Sequence, residues 1–347
     1  MCDLVDLDGS LGEGGGQILR TALAASMLLG RGFKLRRIRA GRDKPGLRPQ
    51  HLTCVKASAE LCEAEVKGDY VGSSEIVFRP GAVRPRDMTI DIGTAGSTAL
   101  VLHTLFLPIA LRADRPVSLK LVGGTFNDAA PSYPFIETTW LSYMNKFGLK
   151  ATVSSPRVGF YPRGGGELNV VIEPGALVPL TLVDRPPIVR VRGFAGIAGL
   201  VDSIAERMSR RALKRLEQRG LSVPVEIETV AWRSNSKGAA IALEVELESA
   251  PSATFVGLGA PGKPAESIVD HTVDELLEYV DAPIGVVDPH SADQILAPAA
   301  FAEGTSEYAS TRVTEHLRTN ADTMRAFVDR TITIEENDDG SGRVVVS

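Results

Sequence analysis

The chain has 347 residues, of which 44% are apolar and 23% charged, and its formal net charge is −5. This length exceeds one simple core and predicts either two compact units or one core with an inserted domain. The acidic balance excludes a protein that coats nucleic acid by bulk positive charge, although a local basic groove stays open. Three cysteines without a CxxC pair give no disulfide framework and no zinc site.

The cysteines, the N-terminal residues and the apolar stretches also predict where in the cell the protein is found. Free cysteines of this kind are typical of a reducing cytosol. The first ten residues, MCDLVDLDGS, contain early acids and no long apolar run, so they do not predict a secretory signal. The longest apolar stretch, 97–111, is interrupted by His103, Thr104 and Pro108 and is too short to span a bilayer. We therefore expect a cytoplasmic protein with no membrane partner.

Apolar periodicity and glycine or proline punctuation predict alternating strands and helices. From the N-terminus the pattern predicts helix 15–29, strand 33–39, helix 49–65, strands 75–79 and 88–92, helix 96–111, strand 117–122, helix 133–147, and strands 149–154 and 167–173. Beyond DRPP at 184–187 it predicts strand 188–193, helix 201–219, strands 223–231 and 239–247, a loop at 257–264, helices 266–280, 290–303 and 319–328, and two final strands. We interpret 184–260 as an inserted small α/β domain, and 1–183 with 261–347 as a large catalytic domain of repeated β-α units.

The first motif that carries chemistry is GEGGGQ at 12–17, directly before a strong helix. Its glycines permit a tight turn and close approach to a ligand, and the free N–H groups of a helix N-terminus attract anions. Glu13 suits such a site if it holds a divalent cation that phosphates also bind. A flexible turn with a solvated glutamate is the alternative.

A basic run follows at 36–48, within an otherwise acidic chain. Its cations are Arg36, Arg37, Arg39, Arg42, Lys44 and Arg48. Guanidinium groups match phosphate oxygens in pairs, so the run is a candidate phosphate site. A solvated surface is the alternative interpretation.

Further glycine-rich or polar segments stand at predicted helix starts or turns. They are TAGST at 94–98, which opens the helix carrying His103; GGTFN at 123–127; GFYPRGGG at 159–166; DPHSADQ at 288–294; and TEHLRTN at 314–320. Within a helix, His290 and Asp293 would share one face. His316 lies among Arg, Thr and Asn, and a neutral imidazole is a competent nucleophile toward phosphorus near pH 7. The segment GLGAPGK at 257–263 is similar to a P-loop. It does not predict one, because Pro264 stands in place of the Ser or Thr that would hold Mg²⁺.

These motifs, in this order, resemble the RNA 3′-terminal phosphate cyclase family. The segments that match are GEGGGQILRTALAAS, IRAGRDKPGLRPQHLT, GTAGSTALVLHT, GGTFNDAAP, GFYPRGGG, HSADQ and EHLRTN. The resemblance extends from about residue 8 to residue 334 and is weakest in the presumed insert. It implies an α/β (α+β) fold of repeated units, each a four-stranded sheet with two helices, plus a smaller inserted α/β domain.

The resemblance also implies an activity. A histidine takes AMP from ATP, the AMP moves to an RNA 3′-phosphate, and the neighbouring 2′-hydroxyl closes a 2′,3′-cyclic phosphodiester. The implied cofactors are ATP and a divalent metal, Mg²⁺ or Mn²⁺, and the implied partner is RNA with a 3′-phosphate end. A homodimer is left open.

Residue by residue, the resemblance implies that His316 is the nucleophile and Glu13 the metal ligand. It implies ATP contacts for Gln50, His103, Pro131, Phe255, His290, Ser291, Ala292, Asp293 and Gln294. It implies contacts to RNA or phosphate for Arg20, Arg39 and Arg42. His103 stands where the family commonly has Gln, and His290 where it often has Tyr.

Three alternatives belong to other functional classes. A non-catalytic, cyclase-like protein of ribosome assembly would be expected to lack the nucleophile, and His316 within EHLRTN argues against it. An enolpyruvyl transferase-like enzyme of similar repeats would need neither that motif nor an ATP site. A plain RNA-binding module should expose many aromatic side chains, whereas aromatics form only 5% of this chain.

Overall fold

The computed structural model describes residues 4–347, whose strands form four four-stranded sheets. In chain order the elements are β1 (Val5–Asp8), α1 (Gln17–Leu29), β2 (Phe33–Arg36), α2 (Pro49–Cys62), β3 (Glu65–Lys67), β4 (Ile76–Arg79), β5 (Met88–Asp91), α3 (Thr98–Arg112), β6 (Val117–Gly123), α4 (Tyr133–Phe135), a π-helical segment (Ile136–Trp140), α5 (Leu141–Lys146), β7 (Ala151–Arg157) and β8 (Gly166–Ile172). The chain continues with β9 (Thr181–Leu182), β10 (Ile188–Ala198), α6 (Ser203–Arg219), β11 (Val225–Ala231), β12 (Gly238–Leu247), β13 (Ala253–Leu258), α7 (Ala265–Asp281), α8 (Leu296–Phe301), β14 (Ser306–Ser310), α9 (Glu315–Arg325), β15 (Ile332–Glu336) and β16 (Gly342–Val346).

Three of the sheets share one topology. Their strand orders are β1-β2-β4-β3, β5-β6-β8-β7 and β9-β14-β16-β15. In each, the first two strands are parallel and the other neighbours antiparallel. We call them unit 1 (β1 to β4), unit 2 (β5 to β8) and unit 3 (β9, then α8 to β16). The parallel pairs need a helical crossover, and a second helical segment follows the second strand. The predicted α/β fold of repeated units is confirmed.

The fourth sheet, β11-β10-β12-β13, lies in the chain between β9 and α8 and has a different strand order. We call this part the inserted unit. Helices α6 and α7 pack on its strands around a separate apolar cluster. Ion pairs also join the two helices: Arg207–Glu266, Arg211–Asp270, Arg215–Asp274 and Arg219–Asp281. Because α7 packs on this sheet, we propose that the inserted unit extends past the predicted boundary at 260 to the end of α7.

Helix α3 joins unit 2 to unit 1. It contacts α1, α2 and β6, and twelve of its fifteen residues are buried. A helix that is apolar all round is expected to lie inside a core rather than on a surface. Helix α1 has Ile18, Leu19, Leu23 and Met27 buried at the predicted spacing, and residues 22–28 are buried on every side of the helix. No helix within residues 4–347 has both the length and the hydropathy of a membrane span.

The predicted helix at 290–303 is wrong over its first half, because α8 begins only at Leu296. The buried carboxylate of Asp288 accepts hydrogen bonds from the backbone N–H groups of His290 and Ser291 and from the Ser291 hydroxyl. Such local bonds between a side chain and the backbone compete with helix formation. His290 and Asp293 therefore lie on a series of turns and not on one helical face.

Other elements also differ from the prediction: β3, β9 and β14 were not predicted, and α9 and β13 differ as follows. The last helix was expected at 319–328, but α9 begins at Glu315, where the Thr314 hydroxyl caps it by accepting from the Leu317 N–H at 3.2 Å. The sequence pattern did not predict β13, whose last two residues fall within the predicted loop at 257–264; the structure has that loop from residue 259 to residue 264. Among residues 4–347, β13 pairs only with β12, so its pairing within the sheet decides its conformation.

Candidate active site

A cleft of about 1310 Å³ is lined by residues from all three repeated units and from the inserted unit. Nine of the predicted site residues line it: Glu13, Arg20, His103, Pro131, Phe255, His290, Asp293, Gln294 and His316. These side chains are far apart in sequence, and the arrangement of the four units brings them to one place. The volume of the cleft exceeds the roughly 300–1,000 Å³ that is usual for a pocket holding one small molecule, so a nucleotide fits inside it.

The glycine corner at 12–16 forms one edge of the cleft. Gly12 and Gly14 both have φ of +56°, a conformation that favours glycine. A Cβ at Gly12 would lie 1.8 Å from Thr319 Oγ1, and one at Gly14 would lie 2.7 Å from the Gly41 nitrogen. This glycine corner therefore packs closely between α9 and the loop that carries the basic run at 36–48. It presents the N-terminus of α1, which favours anions, to the cleft.

His316 lies in the first turn of α9, facing this corner. Its Nδ1 is 3.1 Å from Gln17 Oε1, and its Nε2 is 3.2 Å from Glu13 Oε2. The side chain is 48% exposed, so a ligand in the cleft can reach the imidazole without a rearrangement of the core.

A hydrogen-bond network orients that imidazole. Gln17 Nε2 donates to Asp293 Oδ2 at 2.6 Å, which turns Gln17 Oε1 toward His316. Because an amide oxygen only accepts, His316 Nδ1 carries a proton, and Nε2, which faces the Glu13 carboxylate, has a free lone pair only when the ring is neutral. Asn320 supports the network by donating to the Asp293 carbonyl at 2.6 Å, and Thr21 donates to Asn320 Oδ1 at 2.7 Å.

Sequence reasoning missed Gln17 and Asn320 as functional residues. Gln17 stands at the end of the GEGGGQ motif, and Asn320 at the end of EHLRTN. An amide directly after a glycine corner, at a helix start, is a signal that could have found Gln17. Nothing local indicates that these two side chains converge on Asp293.

Burial and neighbouring charges shift the pKa values of the ionisable side chains in the site. Partial burial lowers the pKa of His316, the cations Arg20 and Arg42 act in the same direction, and the Glu13 carboxylate opposes them. Burial raises the pKa of Asp293 to about 7 despite the nearby Arg20 guanidinium. Burial also lowers the pKa of Arg20, although a guanidinium stays charged in proteins. The site thus holds a neutral imidazole beside fixed positive charge.

Glu13 is the carboxylate closest to His316 Nε2, and Arg42 Nη2 also lies 3.2 Å from its Oε2 atom. Within residues 4–347, no group of three or more His, Cys, Asp or Glu side chains is placed to hold a metal ion. A single exposed carboxylate suits Mg²⁺, which keeps most of its ligands as water and phosphate oxygens. Glu13 therefore fits a metal that arrives with a nucleotide, and does not form a closed protein cage.

His103 forms a flat part of the cleft wall. Its ring stacks on Trp140 with 4.5 Å between centroids and 25° between planes. Burial lowers the pKa of His103 to about 3, so the ring is neutral. Its buried Nε2 has no hydrogen-bond partner among residues 4–347, so this polar atom is left unsatisfied behind the cleft wall. Pro131 and the buried Phe255 line the same cleft.

Ser291 and Ala292 lie beneath the cleft and not in its lining. The Ser291 hydroxyl donates to Asp288 at 2.5 Å, and the Ala292 carbonyl accepts from the Tyr308 hydroxyl at 2.7 Å. These contacts hold the turns that position Asp293. The predicted ATP contacts of Ser291 and Ala292 stay predictions.

Gln50, Arg39 and Arg42 are also outside the cleft lining. Gln50 Oε1 accepts from the Ser97 N–H at 3.0 Å, which joins unit 1 to the start of α3. Arg39 donates to the carbonyls of Lys44 and Gly46 and so closes the basic loop on itself. Arg42 reaches the site through Glu13, as described above, while direct phosphate contact by Arg39 stays a prediction.

The family of the chain follows from comparison with known proteins. A model of the family described as RNA 3′-terminal phosphate cyclase matches residues 11–334. The chain belongs to this family. Its relatives include proteins named RNA 3′-terminal phosphate cyclase from Ectopseudomonas mendocina (38% identical over 328 residues, 94% of this chain and 93% of the relative) and Pseudomonas fluorescens (39% over 327 residues, 94% and 93%). A protein of the same name from Sulfurisphaera tokodaii is 38% identical over 335 residues, 95% of this chain and 96% of the relative.

The sequence-based recognition of the cyclase family is thus confirmed, and the match runs through the inserted unit. In this cyclase-family member the cleft offers an exposed imidazole with its Nδ1 proton held, a helix N-terminus, fixed cations and a flat stacking wall. Together these can bind a nucleotide and present a nitrogen nucleophile to one of its phosphates.

Proposed function

We propose that this chain uses ATP to convert an RNA 3′-terminal phosphate into a 2′,3′-cyclic phosphodiester, with AMP carried on His316. The observation that carries the proposal is the setting of His316, a half-exposed imidazole that faces Glu13 and the glycine corner while Gln17 holds its Nδ1. Membership of the cyclase family supports the same activity.

In the first step, His316 Nε2 attacks the α-phosphorus of ATP. A phosphorus–nitrogen bond forms, the bond to the bridging oxygen breaks, and pyrophosphate leaves. The lowered pKa of His316 keeps the lone pair available, and the Gln17–Asp293 contact holds the ring in one orientation. Arg20, Arg42 and the N-terminus of α1 stabilise the negative charge that develops on the phosphates.

In the second step, an oxygen of the RNA 3′-phosphate attacks the AMP phosphorus and breaks the phosphorus–nitrogen bond. His316 is released, and the RNA phosphate now carries AMP as a leaving group. In the third step, the 2′-hydroxyl attacks the RNA phosphorus, loses its proton and expels AMP. The ribose already holds this hydroxyl beside its target, so proximity supplies much of the rate.

The nucleotide would bind against the stacking wall. The neutral His103 ring, Pro131 and Phe255 suit the flat face of an adenine base. A divalent metal, Mg²⁺ or Mn²⁺, would be held by Glu13 together with nucleotide phosphates, where it neutralises phosphate charge. The predicted cytoplasmic location is part of the same proposal.

The test is covalent labelling. Purified protein is incubated with ATP labelled on the α-phosphate and with Mg²⁺ or Mn²⁺, and is then run on a denaturing gel. We expect an acid-labile, alkali-stable label on the unaltered chain that RNA with a 3′-phosphate removes. His316→Ala should abolish the label. The control is Asp322→Ala, because Asp322 is exposed on the same helix and does not line the cleft, so its loss should leave the label in place.

Absence of the label on folded, unaltered protein would contradict the proposal. That outcome would favour the alternative of a non-catalytic, cyclase-like protein acting in ribosome assembly. A label that persists in His316→Ala would instead place the AMP on another residue.

A further inference from the structure

Two loops meet where unit 2 contacts the inserted unit. One is the GFYPRGGG segment at 159–166, and the other is the segment 232–237 between β11 and β12. The Val158 N–H donates to the Arg233 carbonyl at 3.0 Å, and Val158 forms a bridge with Ser234. Gly165 lies close to the Asn235 side chain, whose nitrogen would be 3.0 Å from an added Cβ. The two loops therefore form one continuous surface.

An aromatic cluster supports this surface from below. The rings of Phe126 and Phe160 stack with 4.9 Å between centroids and 8° between planes, and Trp232 lies 5.0 Å from Phe126. A Cβ at Gly238 would lie 2.3 Å from the Phe160 ring, so this glycine allows the β12 backbone to pack on it. Close packing of this kind holds both loops in fixed positions.

The surface is basic within an acidic chain. Residues 157–166 contain Arg157 and Arg163 and no acid, and residues 231–238 contain Arg233 and Lys237 and no acid. Arg157 is bound to Glu167 at 2.6 Å. The other three cations are exposed, and none has an ion-pair partner among the described residues 4–347. Many other surface arginines are paired with acids, as between α6 and α7, whereas these three cations are available to a polyanion.

An aromatic ring stands among these cations. Tyr161 is 82% exposed although its neighbour Phe160 is buried. An exposed ring between cations is the combination by which proteins hold single-stranded nucleic acid, with bases on the ring and phosphates on the cations. Tyr and Arg are also common in protein–protein interfaces, so what favours a nucleic acid here is the set of cations without acids between them, which suits the phosphates of a strand.

The surface begins at the wall of the cleft. The N–H groups of Thr125 and Phe126 both donate to the Gly159 carbonyl, at 3.0 and 3.1 Å. The next residue, Asn127, lines the cleft and donates to the Ala95 carbonyl at 2.6 Å. A strand whose end lies in the cleft can therefore leave it along these loops.

We propose that Tyr161, Arg163, Arg233 and Lys237 bind the nucleotides of single-stranded RNA that precede its 3′-terminal phosphate. We call these four residues the junction surface. The proposal rests on the proposed function, since that function places the RNA end in the cleft. It adds that the substrate is recognised as a strand, through several phosphates and at least one base, and not through its terminal nucleotide alone.

The test is binding of the full chain, without ATP, to a fluorescent single-stranded RNA of about ten nucleotides with a 3′-phosphate. The variant Arg163→Gln, Arg233→Gln, Lys237→Gln should bind more than about tenfold more weakly. The slope of log affinity against log salt concentration should be smaller in magnitude by about two for this variant. Each phosphate contact to a single strand contributes roughly 0.7 to that slope, and the variant removes three cations. The matched control changes the exposed Lys56, Lys150 and Lys214 to Gln, which removes the same charge elsewhere and should change affinity by less than about threefold.

The ring is tested separately. Tyr161→Ala should weaken binding of the strand by about tenfold, as expected for the loss of one base stack, and Tyr161→Phe should retain the affinity. Affinity for a nucleoside 3′-phosphate, which is too short to reach the loops, should be the same in all of these variants.

Failure of this proposal is separable from failure of the proposed function. The loop variants should still acquire the AMP label from ATP alone, because that step involves no RNA. Unchanged affinity for the strand in the triple variant would overturn the proposal and leave the surface to a protein partner. An equal loss in the triple variant and its control, or an equal loss for strand and nucleoside 3′-phosphate, would overturn it as well.

Discussion

Units 1 and 3 each place a histidine in the first turn of their second helix, and the two residues have opposite surroundings. His51 on α2 is only 4% exposed, whereas the side chain of His316 on α9 is 48% exposed. His51 Nδ1 accepts from the Arg48 N–H at 3.3 Å, so the ring carries its proton on Nε2. His316 Nδ1 faces the Gln17 oxygen and carries the proton itself. The two histidines are therefore opposite tautomers.

Their electrostatic settings differ as well. Burial, together with Arg20, Arg39 and Arg48, lowers the pKa of His51 to about 2. His316 has the Glu13 carboxylate beside it, which opposes the effect of burial. A histidine in the first turn of the second helix of a repeat can thus cap the start of that helix, as His51 does, or serve as a nucleophile, as proposed for His316. The neighbours decide which of the two roles is open to it.

The largest expected effect comes from the residue that sets the tautomer of His316. Gln17→Leu removes the acceptor at Nδ1, and we expect formation of the AMP label to slow by about 100-fold because the ring loses its orientation. Equilibrium binding of ATP should change little. Thr21→Val is the control, since Thr21 touches the network only through Asn320 and should cost less than about tenfold. Equal effects of the two changes would show that Gln17 does not act through His316.

Truncation of the buried histidine should affect folding more than chemistry. His51→Ala removes the acceptor for the Arg48 N–H and leaves that donor in a buried place. We expect the free energy of unfolding in urea to fall by about 2 kcal/mol. The folded variant should acquire the AMP label at a rate within about tenfold of the unaltered chain. Loss of the label without loss of stability would place His51 in the reaction and erase the contrast between the two helices.

Removal of the carboxylate beside His316 should have a smaller effect on rate. Glu13→Gln should slow labelling by about tenfold and raise the metal concentration needed for half-maximal rate. Because Glu13 raises the pKa of His316, its loss lowers that pKa, and the acid limb of the pH–rate profile moves to lower pH. Glu315→Gln is the control, as Glu315 pairs with Arg318 at 3.6 Å. An unchanged metal titration would remove Glu13 from the metal site.

The last expected effect concerns stability alone, and it is a slope of the free energy of unfolding with pH. The pKa of Asp293 is about 7 in the folded chain against an ordinary 3.8, so between these values the folded state binds a proton that the unfolded state has lost. The free energy of unfolding should therefore fall as pH rises from about 4 to 7, by up to about 1.4 kcal/mol for each pH unit. Asp293→Asn should remove this part of the slope in urea unfolding measured at several pH values. An identical slope in the variant would mean that Asp293 is ionised across the range.

Several features could be predicted from neighbouring residues alone. The apolar spacing of α1 and the stop at Gly30 are local properties, and the structure has both. The GEGGGQ and EHLRTN motifs led to Glu13 and His316, which lie 3.2 Å apart. Prediction failed where a distant or competing partner decides, as in β13, which depends on β12, and in 290–295, where Asp288 bonds to the backbone.

The sequence by itself determined the family, the repeated α/β architecture and the identity of the candidate nucleophile, because periodicity, glycine corners and long motifs are written in adjacent residues. The tertiary structure decided the tautomer of His316, the raised pKa of Asp293 and the place of Gln17 between them. Gln17 is 299 residues from His316 and 276 from Asp293 in sequence. Hydrogen bonding and desolvation act over a few ångströms, so only the packing of distant units could bring these groups into contact.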